Sequence, residues 1–307
     1  MQFTALSWNL FHGRDFPPDP GLRTWRSRLL RISERNDAHV QVNRELLREF
    51  AELLAGAEWD VALLQECPPR FAESLARASG AEAHQVLTSR NSFAPLRQLV
   101  ARLNPDLIAS GEGGSNLTLV RESFRCDLCT SDVQNSHRKE VTVLERREVA
   151  IHTGPLERRA MALTRIAVDP GAADSALERR PIGASGSPRP LCIANLHASA
   201  DRRDLAAEDV LRAARIATEW ASDAPLLFGG DLNLQPSESG EVFDELRERF
   251  GLAPPTAPNA IDHLLARGLE LVARPRRWPA ERREVPEDGL ALRLSDHSPV
   301  EATFSLS

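Results

Sequence analysis

Six stretches of this chain end or begin an apolar run with an acid, an amide or an imidazole. "LSWNLFHG" closes its run on Asn9, and "VALLQECPP" closes on Glu66 just before a Cys-Pro-Pro stop. "LCIANLHAS" ends with Asn195 and His197, and "LLFGGDLNLQP" ends with Asp231 and Asn233. "NAIDHLLA" carries Asp262 and His263, and "LSDHSPV" opens the last run with Asp296 and His297. Carboxylates and carboxamides offer hard oxygen ligands to a divalent cation, and imidazoles exchange protons near neutral pH. On an extended strand, residues i and i+2 share a face, so Asn195 with His197, and Asp231 with Asn233, are expected to project together. The carboxyl-terminal edge of a strand is where α/β proteins place ligand crevices. Each stretch also has a plain reading: Gly-Gly-Asp-Leu-Asn as a turn, Asn9 as a turn former, Glu66 as a surface carboxylate, His197 as a core histidine. The repetition of one design, an apolar strand with a reactive group at its end, favours a site.

The elements that must position these groups follow from periodicity. Strand-like runs recur from "FTALSW" near the start to "SPVEATFSL" near the end. Between them lie amphipathic helices. In "NRELLREFAELLA", Leu46, Leu47, Phe50, Leu53 and Leu54 fall on one helical face. "DVLRAARIATEWA" and "GEVFDELRERF" repeat the pattern. Strands interspersed with helices predict an α/β protein with both hairpins and crossovers. The 307 residues are read as one domain spanning 1–307, with insertions at about 13–42 and 169–190, the second a loop joining two strands.

With 42% hydrophobic residues the chain can build a sizeable core. The first residues alternate like a strand and lack the basic and apolar regions of a signal peptide, and no apolar run is long enough to span a bilayer. A cytoplasmic, monomeric protein without a membrane partner is the expectation. Four cysteines (Cys67, Cys126, Cys129, Cys192) are too few for a disulfide scaffold, and the Cys126/Cys129 pair has no matching second pair for zinc. A net charge of −6 gives no overall nucleic-acid footprint, so distribution matters more. Lys139 is the only lysine. Arginines concentrate around Trp25 and in "RPRRWPAERR", which carries Arg274, Arg276, Arg277 and Trp278.

The ordered set Asn, QE, LH, GDxN, IDH, SDH, running from Trp8 to Val300, resembles the endonuclease/exonuclease/phosphatase superfamily. The resemblance implies a four-layer α/β sandwich, deoxyribonuclease I-like, of two mixed β-sheets flanked by helices. It further implies a Mg²⁺-dependent hydrolase of phosphodiester bonds, with Mn²⁺ able to substitute. Asn9, Glu66 and Asp296 would hold the ion. Asp231 would position or deprotonate the attacking water, with Asn233 donating to a phosphate oxygen and holding Asp231. His297 would pair with Asp262, and His197 would serve as general acid or phosphate clamp. Asn195 and Arg159 (or its neighbour Arg158) would contact substrate.

The chain has no tyrosine and lacks the "P-x-W-C-D-R" pattern of inositol phosphatases. "LHAS" is instead similar to the deoxyribonuclease I and sphingomyelinase branch. Glu112 is a candidate partner for His197. Because Arg274–Arg283 joins the runs carrying Asp262 and His297, it is expected to form a substrate rim, with guanidinium groups on phosphates and Trp278 stacked on a base. A nuclease acting on DNA or RNA leads. A small-molecule or lipid phosphoesterase, and a catalytically silent binding module, are the alternatives.

Overall fold

The computed structural model describes residues 1–30, 32–88, 114–124, 139–153, 158–168 and 189–306, together with Leu96, Leu99 and Val100. Two six-stranded mixed sheets pack face to face. In chain order the strands are β1 (Gln2–Asn9), β2 (Glu34–Arg35), β3 (Val40–Gln41), β4 (Val61–Cys67), β5 (Ala81–Leu87), β6 (Ser115–Arg121), β7 (Ser123–Phe124) and β8 (Lys139–Thr153). They continue with β9 (Arg158–Val168), β10 (Arg189–His197), β11 (Leu226–Asp231), β12 (Asp262–Arg267), β13 (Glu270–Arg277), β14 (Glu284–Glu287), β15 (Leu290–Arg293) and β16 (Val300–Ser305). The first sheet runs β13-β16-β1-β4-β6-β5 and the second β12-β11-β10-β9-β8-β7. The helices are α1 (Trp25–Leu30), α2 (Leu47–Gly56), α3 (Ala72–Ser79), α4 (Arg203–Ala221) and α5 (Gly240–Phe250).

Alternation along each strand sorts its side chains between two cores. In β1, Phe3 and Ala5 face the second sheet, where they meet Ile193, Leu227 and Leu264. Leu6 and Trp8 face outward onto Phe50 of α2, with the Trp8 and Phe50 rings 5.1 Å apart. The second sheet buries Leu196, Phe228 and Leu265 under α4 and α5. Helix α4 lies close because its buried face is mostly alanine (Ala206, Ala213, Ala214, Ala217). This is the four-layer α/β sandwich expected from the sequence. No helix among the described residues is long and apolar enough to cross a membrane.

Each sheet is centred on one parallel pair, β1 with β4 and β10 with β11, flanked by antiparallel neighbours. Parallel strands finish at the same edge, and antiparallel neighbours begin there. Asn9, Glu66, His197 and Asp231 therefore end their strands at one rim of the sandwich. Asp262 begins β12 directly opposite Asp231, and Asp296 and His297 immediately precede β16 at the same rim. The stretch 169–188, read as a loop, and Glu112, Cys126 and Cys129 lie outside the described residues. Cys67 and Cys192 are buried.

Directly beneath the rim runs a buried polar layer, and it corrects one expectation. Asn195 is fully buried, with its carboxamide engaged inside the protein. Its Nδ2 donates to Leu117 O at 3.2 Å, and its Oδ1 accepts from Gln65 Nε2 at 2.8 Å. Both ends of the carboxamide thus tie one sheet to the other. An Asn placed two residues before a site residue on the same face reaches the inter-sheet space first, where unpaired backbone carbonyls need donors.

The Gly229-Gly230 pair is required by close approach. A Cβ on Gly230, at φ 132°, would lie 1.8 Å from Leu196 O, and one on Gly229 would lie 2.5 Å from His263 O. Gly230→Ala is expected to cost about 3–5 kcal/mol in urea unfolding, through backbone strain and displacement of β10. Gly240→Ala, where a Cβ meets nothing within 4 Å, should be close to neutral. Equal effects at the two positions would refute this account.

Candidate active site

Asp231 sits at the centre of the rim with 1% exposure. A carboxylate so far from water needs hydrogen bonds to remain charged. Asn9 Nδ2, from the opposite sheet, donates to its Oδ2 at 2.9 Å. The Asn233 backbone N–H donates to its Oδ1 at 3.1 Å. Burial, and then the charge of Asp262, raise the Asp231 carboxyl to about 7, against the opposing pull of His297 and Asn9.

Asn233 differs from the expectation of a second side chain on the strand face. The strand stops at Asp231, and Asn233 turns back in a left-handed conformation at φ 51°. It is the backbone of Asn233 that holds Asp231, while its Nδ2 is spent on Ala198 O at 3.0 Å. The turn reading of "GGDLN" is realised, with Asp231 held at the strand end.

Asp262 and Asp231 stand opposite each other on adjacent strands, and His297 links them. His297 Nδ1 bonds Asp262 Oδ2 at 2.9 Å, and its Nε2 lies 3.8 Å from Asp231 Oδ2. Burial opposes a charge on the ring, but Asp262 and the other carboxylates outweigh it and raise His297 to about 10. The segment carrying His297 is fixed from below. Trp8 Nε1 donates to His297 O at 3.0 Å, and His297 N–H donates to Ser295 Oγ at 3.0 Å.

On the other side of Asp231, His197 Nε2 lies 3.6 Å from Asp231 Oδ2 and 3.8 Å from Glu66 Oε1. Its Nδ1 lies 3.2 Å from Arg159 Nη1. Because a guanidinium can only donate, Nδ1 is the acceptor and the ring proton sits on Nε2. Burial first, then Arg159, push His197 well below its ordinary range. The partner of His197 among the described residues is thus a guanidinium. Of the two candidate arginines, Arg159 is the buried one at the site, and Arg158 is paired with Glu148.

Glu66 reaches the rim through a strand irregularity. The β4–β6 register shifts between Leu64 and Cys67, and Glu66 adopts φ 48°. Simple alternation would send Glu66 outward after Leu64; the bulge re-aims it. A residue that sequence reading missed meets it there: His12 Nε2 lies 3.2 Å from Glu66 Oε2. The available signal was an imidazole three residues after Asn9, followed by Gly13. Burial pushes His12 below its ordinary value, with Glu66 opposing.

Two groupings could hold a cation. Asp231, Asp262 and His297 each bring a ligand atom within 4.8 Å of the others. Asp262 and His297 are joined in that trio by the Nδ1–Oδ2 bond, and Asp262 Oδ1 is buried without a hydrogen-bond partner. Glu66 and Asp296, whose charges act on each other, are the second grouping. Asp296 Oδ1 is buried without a hydrogen-bond partner, and burial raises its carboxyl, with His297 opposing and Glu66 adding to the rise. Asn9 Oδ1 accepts only one described hydrogen bond, from the Phe11 N–H, so a lone pair remains.

Part of the arginine segment is engaged within the protein and departs from the rim that sequence suggested. Trp278 is 4% exposed, and its Nε1 donates to Glu301 Oε2 at 2.5 Å. Arg276 and Arg282 pair with the same carboxylate at 2.7 and 2.8 Å, and the Arg282 guanidinium lies 3.8 Å over the Trp278 ring. Trp278 cannot stack on a base from that position, and Arg276 serves Glu301. Arg274 and Arg277 remain exposed on β13. Buried His263 is a core histidine, with its Nε2 3.1 Å from Leu234 O.

A family model described as the Endonuclease/Exonuclease/phosphatase family matches residues 6–297. No curated protein sequence matches the chain. Solved structures do. The catalytic domain of human Nocturnin with a bound sulfate anion matches at 13% identity and TM-score 0.58, covering 100% of this chain and 94% of that one. A mannosyl-6-phosphatase of Bacteroides thetaiotaomicron matches at 13% identity and TM-score 0.57, covering 99% and 100%. An endonuclease/exonuclease/phosphatase family protein of the same organism matches at 12% identity and TM-score 0.60, covering 100% and 98%. At such identities these three speak for the fold alone. The match across residues 6–297 carries the assignment: the chain belongs to the endonuclease/exonuclease/phosphatase family of hydrolases.

Proposed function

We propose that the protein is a divalent-cation-dependent phosphodiesterase whose first substrate class is nucleic acid. The observation that carries this reading is a buried carboxylate, Asp231, set between two imidazoles at 3.6 and 3.8 Å, beside a separate carboxylate pair with an unsatisfied oxygen on Asp296. Glu66, Asp296 and Asn9 would hold Mg²⁺ or Mn²⁺, which suits hard oxygen donors. When bound, the ion neutralises charge on the phosphoryl oxygens as a Lewis acid.

The remaining chemistry belongs to side chains. Asp231, raised to about 7, orients the attacking water and accepts its proton, since a base works best near the ambient pH. His297, kept cationic by Asp262, donates from Nε2 toward the phosphoryl or leaving oxygen. His197 is neutral with its proton on Nε2, so it acts as a phosphate clamp rather than a general acid. Arg159 orients that ring and adds positive charge behind it. Arg277, opposite Val300 on β13, and Arg274 are the guanidinium groups left to meet a polyanion.

A small phosphoester is the second reading. It is favoured by the engagement of Trp278, Arg276 and Arg282 with Glu301, which removes much of the expected polymer grip. Chelator-stripped protein reloaded with Mg²⁺ or Mn²⁺ should be assayed on plasmid, oligonucleotide, bis-p-nitrophenyl phosphate, p-nitrophenyl phosphate and sphingomyelin. Cleavage of plasmid or oligonucleotide supports the first reading. Turnover confined to small esters or lipid moves the assignment to the second, and full activity in EDTA contradicts both.

On the substrate so identified, Asp231→Asn should lower kcat by about 10² to 10⁴-fold with an unchanged thermal melt. A loss below tenfold would mean that Asp231 is not the base. For nucleic acid, an Arg274→Ser/Arg277→Ser double variant should flatten the log–log salt dependence of duplex binding by roughly 0.9 per lost contact. An unchanged slope removes β13 from the substrate surface.

His297 also makes a pH prediction for the metal-free protein. Its folded value lies above its ordinary 6.5, so its contribution to stability is complete below pH 6.5 and is lost as pH rises toward about 10. The stability gap between wild type and His297→Gln in EDTA should therefore narrow across that window. A gap that widens would show the ring to be neutral in the fold.

A further inference from the structure

His12 has no part in the mechanism above, yet the fold goes to some length to place it. We infer that His12 is itself a metal ligand, so that the centre has a mixed nitrogen–oxygen donor set in which His12 Nε2 joins Glu66, and which selects Mn²⁺ over Mg²⁺. This rests on the metal-dependent reading and adds to it a ligand and a preference.

Distance is the first support. His12 Nε2 and Glu66 Oε2 are 3.2 Å apart. Adjacent ligands of an octahedral ion with bonds of about 2.0–2.2 Å lie about 3 Å from each other. The two donors already stand close to the spacing that one shared cation requires.

Backbone conformation is the second. His12 and Glu66 come from different elements, and both adopt left-handed geometry, at φ 54° and 48°. Non-glycine residues hold such conformations only where the surroundings over-determine them, and they cluster at functional sites. The turn that carries His12 is seated by Gly13, where a Cβ would lie 2.6 Å from Phe71 Cε2. Gly114 lies beside both groups, its would-be Cβ standing 3.6 Å from His12 Cε1 and 3.5 Å from Glu66 Cα, at ordinary contact distance.

The ring has no competing duty. His12 Nδ1 is buried without a hydrogen-bond partner among the described residues, so no second bond recruits the imidazole elsewhere. A nitrogen donor strengthens binding of transition-metal ions far more than of Mg²⁺, which takes oxygen ligands and keeps its waters.

Mn²⁺ titrated into chelator-stripped protein and followed by pulsed electron paramagnetic resonance tests this directly. Wild type should show ¹⁴N coupling to bound Mn²⁺, replaced by ¹⁵N coupling when the protein carries ¹⁵N-histidine. In His12→Gln the coupling should vanish, the Mn²⁺ Kd should rise about tenfold or more, and the Mg²⁺ Kd should change by less than about threefold. Bound Mn²⁺ without nitrogen coupling in wild type overturns the inference while leaving metal dependence standing. Coupling that survives in His12→Gln overturns it as well. Failure of wild type to bind Mn²⁺ at all overturns the metal reading together with it. His12→Asn is read in parallel with His12→Gln, so that one variant failing to fold does not leave the coupling unassigned, and coupling that survives in His12→Asn overturns the inference.

Discussion

The hydrogen bond from Asn9 Nδ2 to Asp231 Oδ2, 2.9 Å long and buried, crosses from one sheet to the other at the rim on which the site is built. Without donors, a carboxylate with 1% exposure could not stay charged. The same carboxamide accepts the Phe11 N–H at 2.9 Å, and so sets the turn that delivers His12 to Glu66. Ser295 Oγ donates to Asn9 O at 2.6 Å and accepts the His297 N–H, which brings the histidine side of the site to the same residue. One asparagine thus ties Asp231, the His12 turn and the His297 segment together. The arrangement is possible because each sheet has a parallel pair whose strands end side by side.

Strain gathers where those connections are made. Of the seven non-glycine residues with positive φ among the described residues, Phe11, His12, Glu66, Asn233 and Ser295 lie at the site. Each turns a side chain or an N–H in a direction that regular strand geometry would not supply. Packing beneath them holds these conformations: Phe71 lies under Gly13, Leu64 and Trp8 under the strand ends, and the Asn195–Gln65 layer between the sheets. Left-handed backbone is unfavourable by about 1–3 kcal/mol per residue, so its concentration at one rim is difficult to explain as chance.

Much of this was legible in the sequence because it followed from period and strand ends. The apolar runs, the helical faces of α2, α4 and α5, and the meeting of Asp231, His197, Asp262 and His297 all follow from alternation plus termination. What escaped depends on departures from regularity. The bulge at Glu66 and the turn at His12 are backbone conformations that no residue type announces. Strand β8, Lys139–Thr153, hides behind alternating glutamates and arginines that favour helix as readily as strand. Trp278 and its arginines looked like a substrate rim because Glu301, the carboxylate they serve, lies some twenty residues away in sequence but opposite Arg276 in register. Asn195 shared a face with His197 as alternation requires, but the inter-sheet carbonyls claimed it first.

The site divides into two parts that share Asp231 as their border. Asp262 and His297 form a hydrogen-bonded unit that holds a proton, and Glu66 with Asp296, whose Oδ1 has no hydrogen-bond partner, forms the proposed cation site. This division is the central claim, and anomalous diffraction from a Mn²⁺-soaked crystal tests it most directly. The predicted result is a single strong anomalous peak within ligand distance of Glu66 and Asp296, with the Asp262–His297 bond intact. A peak enclosed by Asp231, Asp262 and His297 would contradict it.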